Sequence, residues 1–323
     1  MKVGILGAGG IARKMADTLN GMSEASSYAI ASRSLDKALA FKEEHGFEKA
    51  YGSYEELVGD PEVELVYVAT PHSRHHEDAI LCIENGKPVL VEKSFTANAS
   101  QARAVLELAK ERQVFAAEAI WTRYMPSRRM VQEIIDSGKI GKVISVTANL
   151  GYDLKAVPRM HDPALAGGAL LDVGIYPMQF AAMYLGVDEI EEVISTCTKS
   201  ETGVDLTNGI ILKYRSGQMA ILHSSMLEST EQYGIIYGEK GYLIAKNINN
   251  IDCIEVYNSE RELLQTLSVP EQISGYEYEV LAAKAAIKSG QIECVEIPHQ
   301  ETLKVMMLMD EIRGQWGLKY PFE

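Results

Sequence analysis

The chain has 323 residues and a formal net charge of −14, and it is 46% hydrophobic and 24% charged. That length suits two domains, and the composition is that of an ordinary globular protein, which excludes a disordered chain. An acidic surface repels phosphate backbones, so no nucleic-acid partner is expected, and no stretch approaches the ~18 apolar residues of a membrane span.

The first third alternates short apolar strands with amphipathic helices. Strands are expected at residues 3–6, 28–31, 65–69, 89–91 and 114–117. Helices are expected at 10–20, 35–45, 75–84 and 100–112, with Ile11, Met15 and Leu19 on one face of the first and Asn98 as N-cap of the last. Short buried strands separated by helices imply a parallel sheet covered on both faces. The apolar run at the start is broken by glycines within a few residues, so no secretory leader is expected.

The pattern changes near residue 120. A helix at 126–137 is followed by strands at 142–150, 192–198, 208–214, 219–225 and 232–237, with a hairpin turn at 213–218, and a last helix at about 301–316. The fold class is therefore α/β: an N-terminal Rossmann-type domain, residues 1–120, and an α+β domain, residues 121–323, with a large, mostly antiparallel, open-faced sheet. Cys82, Cys197, Cys253 and Cys294 form no C-x-x-C pair, which fits free thiols in a reducing cytoplasm.

Between the first strand and helix stands Gly7-Ala8-Gly9-Gly10-Ile11-Ala12. In this G-x-G-x-x-A pattern the first glycine permits a tight turn and the second lets backbone approach a pyrophosphate. The small Ala12 lets helix and strand pack closely. The helix N-terminus then offers unpaired N–H groups and a favourable dipole to the anion. The second strand ends in Ser32-Arg33-Ser34, with no carboxylate for the ribose 2′-hydroxyl of NAD. A hydroxyl and a guanidinium suit a 2′-phosphate better, so NADP(H) is favoured over NAD(H).

Lys93, after the strand at 89–91, lies at the strand end where parallel sheets bind ligands. On a helix, Asp172 and Tyr176 share one face by their i, i+4 spacing, although a cap and a core tyrosine would give the same pattern. His72, His75 and His76 cluster after a strand, but no partner acids or thiols stand at metal-ligand spacing, so no metal is expected.

Together these pieces resemble the glucose–fructose oxidoreductase, inositol dehydrogenase and rhizopine-catabolism family, Gfo/Idh/MocA. The resemblance spans the glycine loop, Val68-Ala69-Thr70-Pro71-His72 with His75, Gly86 through Lys93, Trp121 through Pro126, Gly167 through Pro177, and Met309-Asp310-Glu311-Ile312-Arg313. It is strongest to the branch of dimeric dihydrodiol dehydrogenases and aldose dehydrogenases. It implies that Thr70, Pro71, His72, His75, Glu92 and Lys93 join the glycine loop at the cofactor. It gives Tyr176 the acid/base role with Lys93 and Asp172, and makes Trp121, Arg123, Arg159 and His161 pocket residues. Two departures stand out: Ser94 replaces the proline of the family's Glu-Lys-Pro, and Tyr176 stands where many members have histidine. The implied activity is hydride transfer between a nicotinamide and a small polyol, sugar or cyclic diol, in a homodimer or larger oligomer joined through the second-domain sheet. A sensor that binds NAD(P) without turnover and an NAD-dependent glycosidase are the alternatives.

Overall fold

A computed structural model describes all of residues 1–323. The chain divides into two contact units, residues 1–121 with 272–306 and residues 122–271 with 307–323. The first break falls one residue from the expected boundary. The return of residues 272–306 to the first unit was not foreseen, because contacts between segments so distant in sequence leave no local periodicity.

The first unit begins β1 (Lys2–Leu6), α1 (Gly10–Asn20), β2 (Ser26–Ala31), α2 (Leu35–His45), β3 (Lys49–Tyr51), α3 (Tyr54–Val58) and β4 (Leu65–Val68). It continues α4 (His72–Glu84), β5 (Val89–Glu92), α5 (Ala99–Arg112) and β6 (Ala116–Ala119). The six strands form one parallel sheet in the order β3-β2-β1-β4-β5-β6. This is the doubly wound dinucleotide-binding order. Val3, Ile5, Leu65, Val66, Leu90 and Val91 are fully buried, each worth roughly 1.5–3 kcal/mol of transfer free energy. Hydroxyl and amide side chains start three of these helices. Ser34 accepts from Lys37 N, Ser53 from Glu56 N and Asn98 from Gln101 N, each cap worth about 1 kcal/mol. Helix α4 starts three residues before the apolar pattern does, because its first turn is the polar run His72-Ser73-Arg74. Strand β6 lies two residues beyond its expected position.

The second unit contains α6 (Pro126–Asp136), β7 (Val143–Gly151), a π-helical turn (Leu170–Gly174) and α7 (Ile175–Leu185). Then come β8 (Ile190–Lys199), β9 (Asp205–Tyr214), β10 (Met219–Ser225), β11 (Gly234–Gly238), β12 (Gly241–Lys246), β13 (Cys253–Asn258) and β14 (Leu263–Ser268). They build an eight-stranded sheet, β14-β13-β12-β11-β7-β10-β9-β8, antiparallel except where β7 meets β10. Helix α7 packs on β7 and β10, and a Cβ at Gly234 of β11 would collide with the Phe180 ring. Along β10 and β12 buried residues alternate with more accessible ones, as a sheet covered on one face requires. Two helices complete the chain, α8 (Glu277–Lys288) in the first unit and α9 (His299–Gln315). No helix is long and apolar enough to cross a membrane.

Candidate active site

In the first unit the chain leaves β1 at Gly7, whose φ of +97° favours glycine, and a Cβ there would lie 2.8 Å from the Ala69 carbonyl oxygen. Gly9 stands at the N-cap of α1 in extended backbone, and a Cβ there would meet nothing within 4 Å. No side chain caps α1, and its first turn carries no acid. Ala12 is fully buried. The open space before uncapped N–H groups is what a pyrophosphate needs, so these residues fit a dinucleotide. At the end of β2, Ser32 is buried and Arg33 exposed.

The loops after β4 and β5 are tied together by two histidines. The His75 ring spans the chain between them, Nε2 2.8 Å from Thr70 O and Nδ1 2.9 Å from Ser94 O. Burial lowers its pKa while the two carbonyls pull the other way. His72 Nε2 lies 3.2 Å from Lys93 O. Thr70 Oγ1 donates to Asp78, and Pro71 is the N-cap of α4. Both histidines therefore hold the backbone that presents Lys93.

Glu92 is buried and acts in the same way. Its Oε2 accepts from Lys93 N at 3.1 Å and its Oε1 accepts from Tyr67 Oη. Lys93 itself is half-buried, and the Lys93–Ser94 peptide is cis. Helix α8 adds Glu279, fully buried, with no hydrogen-bond partner on either carboxylate oxygen. Burial first, then the charge of Glu92, pushes its pKa well above the usual carboxylate range. Burial, followed by the same Glu92 charge, also raises the Tyr67 phenol well above its ordinary value. Neither residue was singled out from sequence, where a lone tyrosine in a strand and a glutamate in a helix give no signal. Trp121 stacks on Tyr276, ring centroids 4.1 Å apart.

In the second unit the run from Gly167 to Pro177 folds as a π-helical turn leading into α7. Asp172 lies in the wide turn and Tyr176 in the first turn of α7, both about 8% exposed. Wide turns of this kind recur at functional sites. Arg159 grips the carboxylate through both terminal nitrogens, Nη2 to Oδ2 at 3.1 Å and Nη1 to Oδ1 at 3.4 Å. It sits in the short 3-10 turn Pro158–His161. A forked guanidinium fixes the plane of a carboxylate as well as its charge. Arg123 is buried and donates to Gln179 Oε1 at 2.7 Å, while His161 Nε2 lies 3.1 Å from Lys155 O.

Residues 1–119 match a family model described as an oxidoreductase family with an NAD-binding Rossmann fold, and residues 128–244 match the GFO/IDH/MocA C-terminal domain. The chain belongs to the Gfo/Idh/MocA family. This family member is an NAD(P)-dependent oxidoreductase of the dehydrogenase and reductase class. It is 33% identical to a Xenopus tropicalis trans-1,2-dihydrobenzene-1,2-diol dehydrogenase over 91% of this chain and 90% of the relative. It is 32% identical to the mouse enzyme of the same name over 99% and 98%. Among solved structures, the 3-ketoreductase KijD10 from Actinomadura kijaniata, in complex with NADP and TDP-benzene, superposes with a TM-score of 0.89 at 25% identity over 97% of both chains. A levoglucosan dehydrogenase complexed with NADH and levoglucosan shares the fold, with a TM-score of 0.87 at 18% identity over 99% of both chains.

Proposed function

We propose that this enzyme interconverts a secondary alcohol and a ketone, or a sugar and its lactone, on a small polyhydroxylated or cyclic substrate. The observation that carries the reading is the Arg159-held Asp172, one turn before Tyr176 in a family oxidoreductase similar along its length to dihydrodiol dehydrogenases. A dinucleotide held by its pyrophosphate at Gly7–Ala12 would supply the hydride chemistry. Ser32 and Arg33 take the 2′-phosphate, so NADP(H) binds more tightly than NAD(H). The KijD10 complex holds NADP and the levoglucosan dehydrogenase complex NADH, so the choice rests on Ser32 and Arg33 alone.

The proton is the protein's task. In oxidation Tyr176 phenolate takes the hydroxyl proton as the hydride leaves carbon. In reduction the neutral phenol donates to the carbonyl oxygen. A free phenol titrates near ~10, about three units too high for a base at neutral pH, so its surroundings have to supply roughly 4 kcal/mol. The Lys93 ammonium lowers the phenol's pKa, and Glu92, His72 and His75 hold the backbone that presents it. Asp172, oriented by Arg159, accepts a hydrogen bond from a neighbouring substrate hydroxyl.

The second-domain sheet is the surface that joins two copies. Ile194, Ile211 and Ile221 are register partners across β8, β9 and β10, and Tyr237, Tyr242 and Tyr257 across β11, β12 and β13. Ile194 and Ile221 are half exposed. An apolar face of that breadth is usually buried by a partner.

The test is a screen of cyclic diols, inositols and sugars with each cofactor, followed by reduced-nicotinamide absorbance. Net cofactor reduction is expected. Binding without turnover would support a sensor, and cleavage without net reduction a glycosidase.

A further inference from the structure

The second unit contains a buried polar chain that the proposed chemistry does not use directly. Asp205, at the start of β9, is about 1% exposed. Its Oδ2 accepts from Leu170 N at 2.8 Å and from Asn208 Nδ2 at 2.9 Å. Asn208 Oδ1 in turn accepts from Ser224 Oγ at 2.9 Å. Ser224 Oγ packs so closely beneath the far end of the same turn that a Cβ at Gly174 would lie 2.8 Å from it. The network therefore meets the π-helical turn Leu170–Gly174 at its first residue by a hydrogen bond and at its last by contact. Asp172 lies between those points and Tyr176 two residues beyond them. At Gly168, where φ is +115°, a Cβ would collide with Asp205 Oδ1. That oxygen is buried without a hydrogen-bond partner.

We propose that Asp205 is a positioning residue for the hydride-transfer reaction. Its carboxylate, braced by Asn208 and Ser224, anchors the turn that aims Asp172 and Tyr176. The proposal rests on the function given above.

A carboxylate is suited to this because charge-assisted hydrogen bonds are about twice as strong as neutral ones. The cost is burial of a charge. Burial raises the pKa of Asp205 to about 6, with Asn208, Leu170 N and Arg313 acting in the opposite direction. Several charged or titratable side chains face it. Cys197 and Lys199, the latter the register partner of Asp205, come from β8, and Arg313 and Tyr320 from the C-terminal segment, with Asp310 and Glu323 bound to Arg313. Asp205 is thus ionised at neutral pH and takes up a proton as the pH falls through about 6. The anchor on Leu170 weakens in the same range.

Assayed in the reduction direction, the base-side limb reports the phenol and the acid-side limb reports Asp205. The wild-type enzyme is expected to lose kcat below about pH 6. Asp205→Asn should lower kcat about 10–100-fold, the scale of a small misplacement of reacting groups. It should leave cofactor affinity unchanged and abolish the acid limb. Asn208→Ala removes a bond that favours the ionised form, so its limb should move to higher pH. Hydrogen exchange across residues 167–176 needs no substrate. Corrected for intrinsic rates, protection of Leu170 N–H should fall with the same midpoint in the wild type and be low throughout in Asp205→Asn. An Asp205→Asn enzyme with wild-type turnover, or with the acid limb intact, overturns the proposal, as does an Asn208→Ala limb that does not move. An enzyme that turns over no alcohol or ketone refutes the functional reading instead, and the exchange midpoint then decides the anchoring by itself.

Discussion

Two glycines of the nucleotide loop should respond in opposite ways to the same methyl group. At Gly9, φ is −100° and ψ −169°, backbone that any residue adopts, and a Cβ touches nothing within 4 Å. Gly9→Ala should therefore fold normally, or gain about 0.4–1 kcal/mol by restricting the unfolded chain. Its methyl, however, stands before the N-terminus of α1, where the pyrophosphate must lie. Losing one or two charge-assisted hydrogen bonds there costs about 2–4 kcal/mol, or roughly 30- to 700-fold in Kd. At Gly7 the positive φ costs an alanine about 1–2 kcal/mol. The clash with Ala69 O adds about 1–3 kcal/mol, so Gly7→Ala should lose roughly 2–5 kcal/mol before any ligand is added. Denaturant unfolding without cofactor, paired with fluorescence titration of NADPH, separates the two effects. A Gly9→Ala protein that binds as tightly as the wild type would refute the assignment of that space to a pyrophosphate. Equal destabilisation by the two substitutions would refute the steric argument.

Two further outcomes follow from the same geometry. Arg33→Ala should weaken NADP(H) by about 10- to 100-fold and NAD(H) little, as loss of a charge-assisted contact requires. Equal affinities for both cofactors in the wild type, unchanged by the substitution, would remove Ser32 and Arg33 from cofactor choice. Ile221→Lys places a charge in the isoleucine row of β8, β9 and β10, and should convert a wild-type dimer to monomer in sedimentation at micromolar concentration. A wild-type protein that sediments only as monomer would rule out the sheet as an interface.

The features legible in the sequence are those with a local mechanical cause. Gly7 and Ala12 mark the loop because a tight turn and a close helix–strand contact each demand a small residue. Asn98 marks a helix start because its amide accepts from Gln101 N. The alternation of strands and helices specified the parallel sheet for the same reason. What was missed depends on contacts between distant residues. Arg159 looked like one more pocket candidate, and only the folded chain brings it onto Asp172. His72 and His75 were expected at the cofactor, and their contacts with the backbone of Thr70, Lys93 and Ser94 are a second role that local sequence could not show. Strand β8 has exposed residues on both faces and β14 is accessible along its length. Strands β12, β13 and β14 were not recognised; at the edge strand β14 the apolar alternation fades, whereas β12 and β13 alternate but are only six residues long each. Asp205 gave no signal, because an aspartate among Gly-Val-Asp-Leu-Thr looks like a turn residue until its burial is known.

The central proposal is that Tyr176 moves the proton and depends on Lys93 to do so, and the pH dependence of kcat for alcohol oxidation in Tyr176→Phe tests it most directly. The wild type should show an acid limb for a group that must be deprotonated. Tyr176→Phe should bind cofactor normally, fall about 10²–10⁴-fold in kcat, and lose the phenol's part of that limb, leaving only the fall near pH 6 that Asp205 gives. Lys93→Met should lose a comparable amount, and the double variant little more, because two residues acting as one unit are not additive. A Tyr176→Phe enzyme that keeps near-normal turnover and the same acid limb would contradict the account and place the base elsewhere.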